Sequence, residues 1–175
     1  MTLSLVWDSV RDHFFRPESL ERVALMRRFD RRKEQWFQVE LMWLLDRLTR
    51  CGQVSRWEPE HKYVDFRIDV AGLSAVVELK TAVCGRDSKG VLWKPCQYGK
   101  GECAEGVRQL GAAPPPRCLV VFGWPGVSDP ALTIVDWNEM LEAVRSKTAK
   151  PGINFVREPE RTSGGELSVG IFQVP

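Results

Sequence analysis

A chain of 175 residues, with 43% hydrophobic and 27% charged residues, is long enough for one domain with a sizeable core and has the composition of an ordinary soluble globule. Its formal net charge of +2 excludes a surface that is basic all over, so any affinity for a polyanion has to be local. No uncharged apolar run approaches the roughly 20 residues of a membrane helix and the N-terminus lacks a secretory pattern, which makes the cytoplasm the expected location and a membrane partner unexpected.

The reading divides a single domain, 1–175, into an N-terminal helical region, 1–50, and a core, 51–175. The run from Pro17 to Arg50 is helical in pattern. Midway along it, MRRFDRRKE gathers Arg27, Arg28, Arg31, Arg32 and Lys33 against Asp30 and Glu34. Such a cluster suits a phosphate backbone, and it equally suits a solvated helix face with local ion pairs. On a helical wheel Trp43, Trp36, Leu44, Phe37, Leu48, Leu41 and Leu45 form one wide apolar arc, and Glu40 falls inside it. A carboxylate there is costly unless it is paired or coordinates a metal. Glu34 also lies in the arc, near the helix start, where an acid favours the dipole.

The stretch YVDFRIDVAGLSAVVELKTA, residues 63–82, alternates on both sides of Ala71-Gly72 and predicts a β-hairpin. A two-residue turn there pairs Val70 with Leu73, so that paired residue numbers sum to 143. Asp65 then stands opposite Glu78, and Lys80 shares their face. Slipping by one residue would turn Glu78 and Lys80 into the apolar layer. Two carboxylates side by side repel, so something must neutralise them: Lys80 as an ion pair, or a hard divalent cation such as Mg²⁺.

A polar loop follows, carrying Arg86, Lys89, Lys94 and Lys100, and then GECAEGVRQLGAA predicts a helix stopped by Pro114-Pro115-Pro116. RCLVVFGW is continuously apolar, as a strand buried on both faces would be. A strand is expected near Leu132–Val135, a helix from Asp136 to Lys147, and strands around Ile153–Arg157 and Leu167–Val174 with a turn between them. The five cysteines, at 51, 84, 96, 103 and 118, form no CxxC pair and read as reduced thiols that give an iron–sulfur cluster little support. His13 and His61 are too few and too separate for a histidine metal site. Of the seven tryptophans, Trp57, Trp93 and Trp124 lie near predicted strand ends and the basic loop, where packing or stacking on an unpaired base are both open.

Asp65, twelve intervening residues, then Glu78-Leu79-Lys80 resembles the active-site pattern of the restriction-endonuclease-like, or PD-(D/E)xK, nuclease superfamily. Val64 stands where that pattern has its proline, so the match is to D…ExK. The element order over residues 34–124 is similar too. The resemblance implies an α/β fold, a restriction-endonuclease-like core in which a central mixed β-sheet with the active-site hairpin is flanked by helices. It implies a metal-dependent nuclease hydrolysing phosphodiester bonds, of DNA ahead of RNA, with Mg²⁺ or in its stead Mn²⁺. Asp65 and Glu78 would be ligands, the Leu79 carbonyl a further one, Glu40 the helix acid with Glu34 in reserve, and Lys80 the group beside the attacking water. Arg27, Arg28, Arg31, Arg32 and Lys33, with Lys89 and Lys94, would meet the nucleic acid. A homodimer or larger complex is left open by the sequence. Two other readings stand beside this one: a catalytically inactive nuclease-fold module that binds nucleic acid or a protein, and a structural or inhibitory protein whose hairpin merely carries an ion pair.

Overall fold

The computed structural model describes residues 2–27, 33–61, 64–84, 102–125, 153–156 and 167–174. Three helices come first: α1 (Leu3–Phe14), α2 (Pro17–Arg27) and α3 (Lys33–Arg50). They lead into β1 (Arg56–His61), β2 (Val64–Val70) and β3 (Leu73–Cys84), then α4 (Glu102–Gly111), β4 (Arg117–Pro125), β5 (Ile153–Val156) and β6 (Ser168–Val174). The strands form one mixed sheet in the order β1-β2-β3-β4-β6-β5. Among the described strands only β3 and β4 run parallel, and a parallel pair needs a crossover, which contains α4. The chain is therefore a mixed α/β protein.

The hairpin has the expected register, from Val70↔Leu73 to Phe66↔Val77. Its turn holds Ala71 at φ 50° and Gly72 at φ 80°. Two consecutive left-handed residues match the twist of the flanking strands, which is why a two-residue loop suffices. Phe66, Ile68 and Val70 are buried, and the residues between them are half-buried, as period two demands.

Helices cover both faces of the sheet. On one, Val6, Val10 and Phe14 of α1 and Phe37, Leu41, Leu45 and Leu48 of α3 pack on Phe66, Ile68, Val77, Leu79, Val120 and Phe122. Phe122 is gripped there by Phe37, stacked at 4.1 Å between ring centroids, and by Phe14 at 4.6 Å. On the other face Cys103 and Leu110 of α4 meet Val76, Leu119, Val121, Phe172 and Val174. Thus β4 is buried on both sides, as its unbroken apolar run requires.

Several features were not anticipated. A helix α1 precedes the long helical run, of which α2 and α3 are described and residues 28–32 fall outside the described residues. Strand β1 reads RWEPEH, with no apolar alternation and a proline at 59; it lies at the sheet edge, where a strand tolerates a residue without an N–H. Trp43, assigned to the apolar arc, is 49% exposed and sits beside Arg47, whose guanidinium lies 5.8 Å from its ring centroid. Trp57 is packed against the core, 6.5 Å from Phe66 between centroids. The expected elements at Leu132–Val135 and Asp136–Lys147 fall outside the described residues. Among the described residues no helix is long and apolar enough to cross a membrane, and Cys51, Cys103 and Cys118 form no disulfide.

Candidate active site

Where β2 and β3 stop pairing, side chains take over. Beyond Phe66↔Val77 the register places Asp65 across from Glu78, and the Leu79 amide donates to Asp65 Oδ2 at 2.6 Å. A carboxylate thus occupies the place of a ladder carbonyl. In a strand the N–H and C=O of one residue point to the same neighbour. The Leu79 carbonyl therefore faces the Asp65 side of β3 as well, while its side chain is fully buried in the core.

Glu78 and Lys80, two residues apart on β3, share a face. Lys80 Nζ lies 2.7 Å from Glu78 Oε1, and the two side chains are 13% and 3% exposed. Burial pushes the Glu78 carboxyl up from 4.5 to about 7; the hydrogen bond from Lys80 opposes this and the charge of Asp65 adds to it. For Lys80, burial pulls downward, but the hydrogen bond to Glu78 and the charges of Glu78, Glu34 and Asp65 outweigh it, and its pKa is raised.

Helix α4 is pressed onto this pair. A Cβ on Gly106 would stand 3.2 Å from the Cγ atoms of both Glu78 and Lys80, and 2.9 Å from Leu119 Cδ1. Only a residue without a Cβ allows that approach, so Gly106 sets how close the helix comes to the site.

The first turns of α3 reach the same group. Glu34 Oε1 lies 3.5 Å from Lys80 Nζ, and Gln38 Nε2 donates to Asp65 Oδ1 at 2.7 Å. Glu40 does not, and the expectation for it is corrected. Its carboxylate is bound to His13 Nε2 at 2.9 Å and Arg22 Nη1 at 2.7 Å, so it ties α3 to α1 and α2. The reason is helical geometry. Glu34 and Gln38 are about 40° apart around the axis, whereas Glu40 is about 200° from Gln38. The acid inside the apolar arc is a paired core acid, and Glu34, held in reserve, is the helix acid at the hairpin. His13 is itself buried, and burial lowers its pKa despite the hydrogen bond and charge of Glu40.

The structure thus brings Asp65, Glu78, Lys80 and the Leu79 backbone together, adds Glu34, and leaves Glu40 out. Sequence reasoning missed Gln38 and Gly106. The signal for Gln38 was its position one turn after Glu34, and for Gly106 it was a glycine within a helix. The side chains of Arg27 and Lys33 and the whole of Arg28, Arg31, Arg32, Lys89 and Lys94 fall outside the described residues, as do Arg86 and Lys100. Among the described residues no three His, Cys, Asp or Glu side chains form a group able to hold a metal, and Lys80 lies within ion-pair distance of both Glu34 and Glu78. The oxygens at hand are those of Asp65, Glu78 and Leu79. They are hard donors of the kind Mg²⁺ takes with waters completing its shell. The Glu78 carboxyl is elevated chiefly by burial, with the charge of Asp65 adding to it, and the donor set fits a divalent ion in kind through its hard oxygens.

Comparison with protein-family models, curated proteins and solved structures finds no match to the chain in any of the three.

Proposed function

We propose that this protein is a metal-dependent nuclease of restriction-endonuclease-like architecture, acting on DNA ahead of RNA. The observation that carries the reading is the convergence of Asp65, Glu78 and Lys80 at the point where the hairpin parts, with Lys80 Nζ 2.7 Å from Glu78. Folding alone does not favour a second carboxylate beside a buried one. The order α3, hairpin, α4, β4 supports the same reading, since it is the order the resemblance implies.

Asp65, Glu78 and the Leu79 carbonyl would hold Mg²⁺, with Glu34 beside Lys80 at the same site. When bound, such an ion lowers the pKa of a water and polarises a phosphate oxygen. The chain's own groups do the rest. Lys80, charged and anchored between Glu78 and Glu34, steadies negative charge developing on the phosphoryl oxygens. The water oxygen joins phosphorus as its proton passes to solvent, one P–O ester bond breaks, and the departing alkoxide takes a proton from solvent.

One observation favours the inactive-module alternative: Lys80 already neutralises Glu78, and both oxygens of Asp65 accept hydrogen bonds within the protein. Cleavage of mixed single- and double-stranded DNA with Mg²⁺ or Mn²⁺, beside calorimetric metal titration, separates the two. Under the nuclease reading Asp65→Asn loses metal binding and cleavage. Lys80→Ala keeps metal binding and loses about 10²–10³ in rate. A wild-type protein that binds neither ion and cuts nothing would leave the inactive module.

A further inference from the structure

Gln38 makes a contact that the packing of α3 does not require. An ionised carboxylate only accepts hydrogen bonds, so Gln38 must present its NH₂ to Asp65 Oδ1, 2.7 Å away. The other oxygen, Oδ2, takes the Leu79 amide at 2.6 Å. One donor comes from a helix and one from a strand, each on its own oxygen, and together they fix the plane of the carboxylate. The placement costs stability, because it holds Asp65 across the hairpin from a second carboxylate, the buried Glu78. A tie serving folding alone would gain by holding Asp65 elsewhere.

We infer that Gln38 is a positioning residue that holds Asp65 in its ligating orientation while touching neither metal nor phosphate; the inference rests on the nuclease reading above. Residues that orient a metal's carboxylate ligand typically change affinity by about 10–100-fold when replaced. Glu34, one turn earlier on the same helix face, comes to Lys80 while Gln38 comes to Asp65, so the start of α3 sets both halves of the site.

The test titrates Mg²⁺ calorimetrically into wild type, Asp65→Asn and Gln38→Met, with melting temperature recorded for each. Methionine matches glutamine in length and leaves Oδ1 without its donor. Gln38→Met is expected to bind Mg²⁺ with unchanged stoichiometry and an affinity weaker by about 10–100-fold, with cleavage recovering as Mg²⁺ is raised and Asp65→Asn binding nothing. Gln38→Asn keeps the amide but is one methylene too short to reach, and it carries the same expectation should Gln38→Met fold poorly. Wild-type affinity in either folded variant overturns the positioning role and leaves the nuclease reading standing. A wild-type protein that binds neither Mg²⁺ nor Mn²⁺ takes both down.

Discussion

The most informative perturbation is Glu78→Gln, read against pH. Glu78 is 3% exposed, and its carboxyl is pushed from 4.5 to about 7, first by burial. Between those values the folded protein holds a proton that the unfolded chain has released. The stability this contributes is complete below 4.5 and is lost as pH rises through about 7. At roughly 1.4 kcal/mol per pH unit, the gap is worth about 3 kcal/mol. Glutamine at 78 has no proton to lose and the same shape. Urea denaturation of both proteins between pH 4.5 and 8 therefore gives a wild-type-minus-variant stability that falls by about 3 kcal/mol toward the alkaline end. His13, whose burial lowers its pKa, costs stability at acid pH in both proteins and cancels in the difference. At pH 8 excess Mg²⁺ restores wild type and not the variant, by about 2.7 kcal/mol at a hundred times Kd. A difference flat with pH would refute the elevated Glu78, and with it the claim that this hairpin stores electrostatic strain.

Two further outcomes test the frame around the site. Gly106→Ala places a methyl 2.9 Å from Leu119 Cδ1 and 3.2 Å from the Cγ atoms of Glu78 and Lys80; despite alanine's better helix propensity it should lower stability by about 1–3 kcal/mol in thermal melts and reduce cleavage, and an unchanged melting temperature would show that α4 yields freely. Ala71→Gly at φ 50° should raise stability by up to about 1 kcal/mol without altering metal binding, because a Cβ in the left-handed region is strained; a destabilised variant would contradict the turn geometry.

What could be read in advance followed from local periodicity. Phe66, Ile68 and Val70 alternate with half-buried polar residues, and Ala71-Gly72 permits a two-residue turn, so the hairpin and its register were both legible. The unbroken run in β4 announced burial on both faces. Strand β1 was not legible: Trp57 is its one large apolar residue, Pro59 argues against a strand, and only its edge position makes it possible. The helix acid failed for a different reason. A wheel gives the angle of Glu40 relative to its own apolar arc, but that arc is shared between the sheet and the helices α1 and α2. Which neighbour lies where is a tertiary fact.

That failure sharpens the functional argument, because α3 and β3 now present two acids to compare, the half-buried Glu40 and the buried Glu78. Glu40 is answered on both oxygens, by a histidine ring at 2.9 Å and a guanidinium at 2.7 Å, and it joins three helices. An acid so paired needs nothing further and explains itself as architecture. Glu78 is answered by Lys80 on one side and opposed by Asp65 on another. Asp65 in turn is drawn in by Gln38 and the Leu79 amide, and α4 closes over the pair at a glycine. Three separate elements thus hold together charges that would be more stable apart. Where a fold keeps like charges adjacent in this way, the arrangement is what the proposed divalent-ion site would require, and Glu40 has no such arrangement.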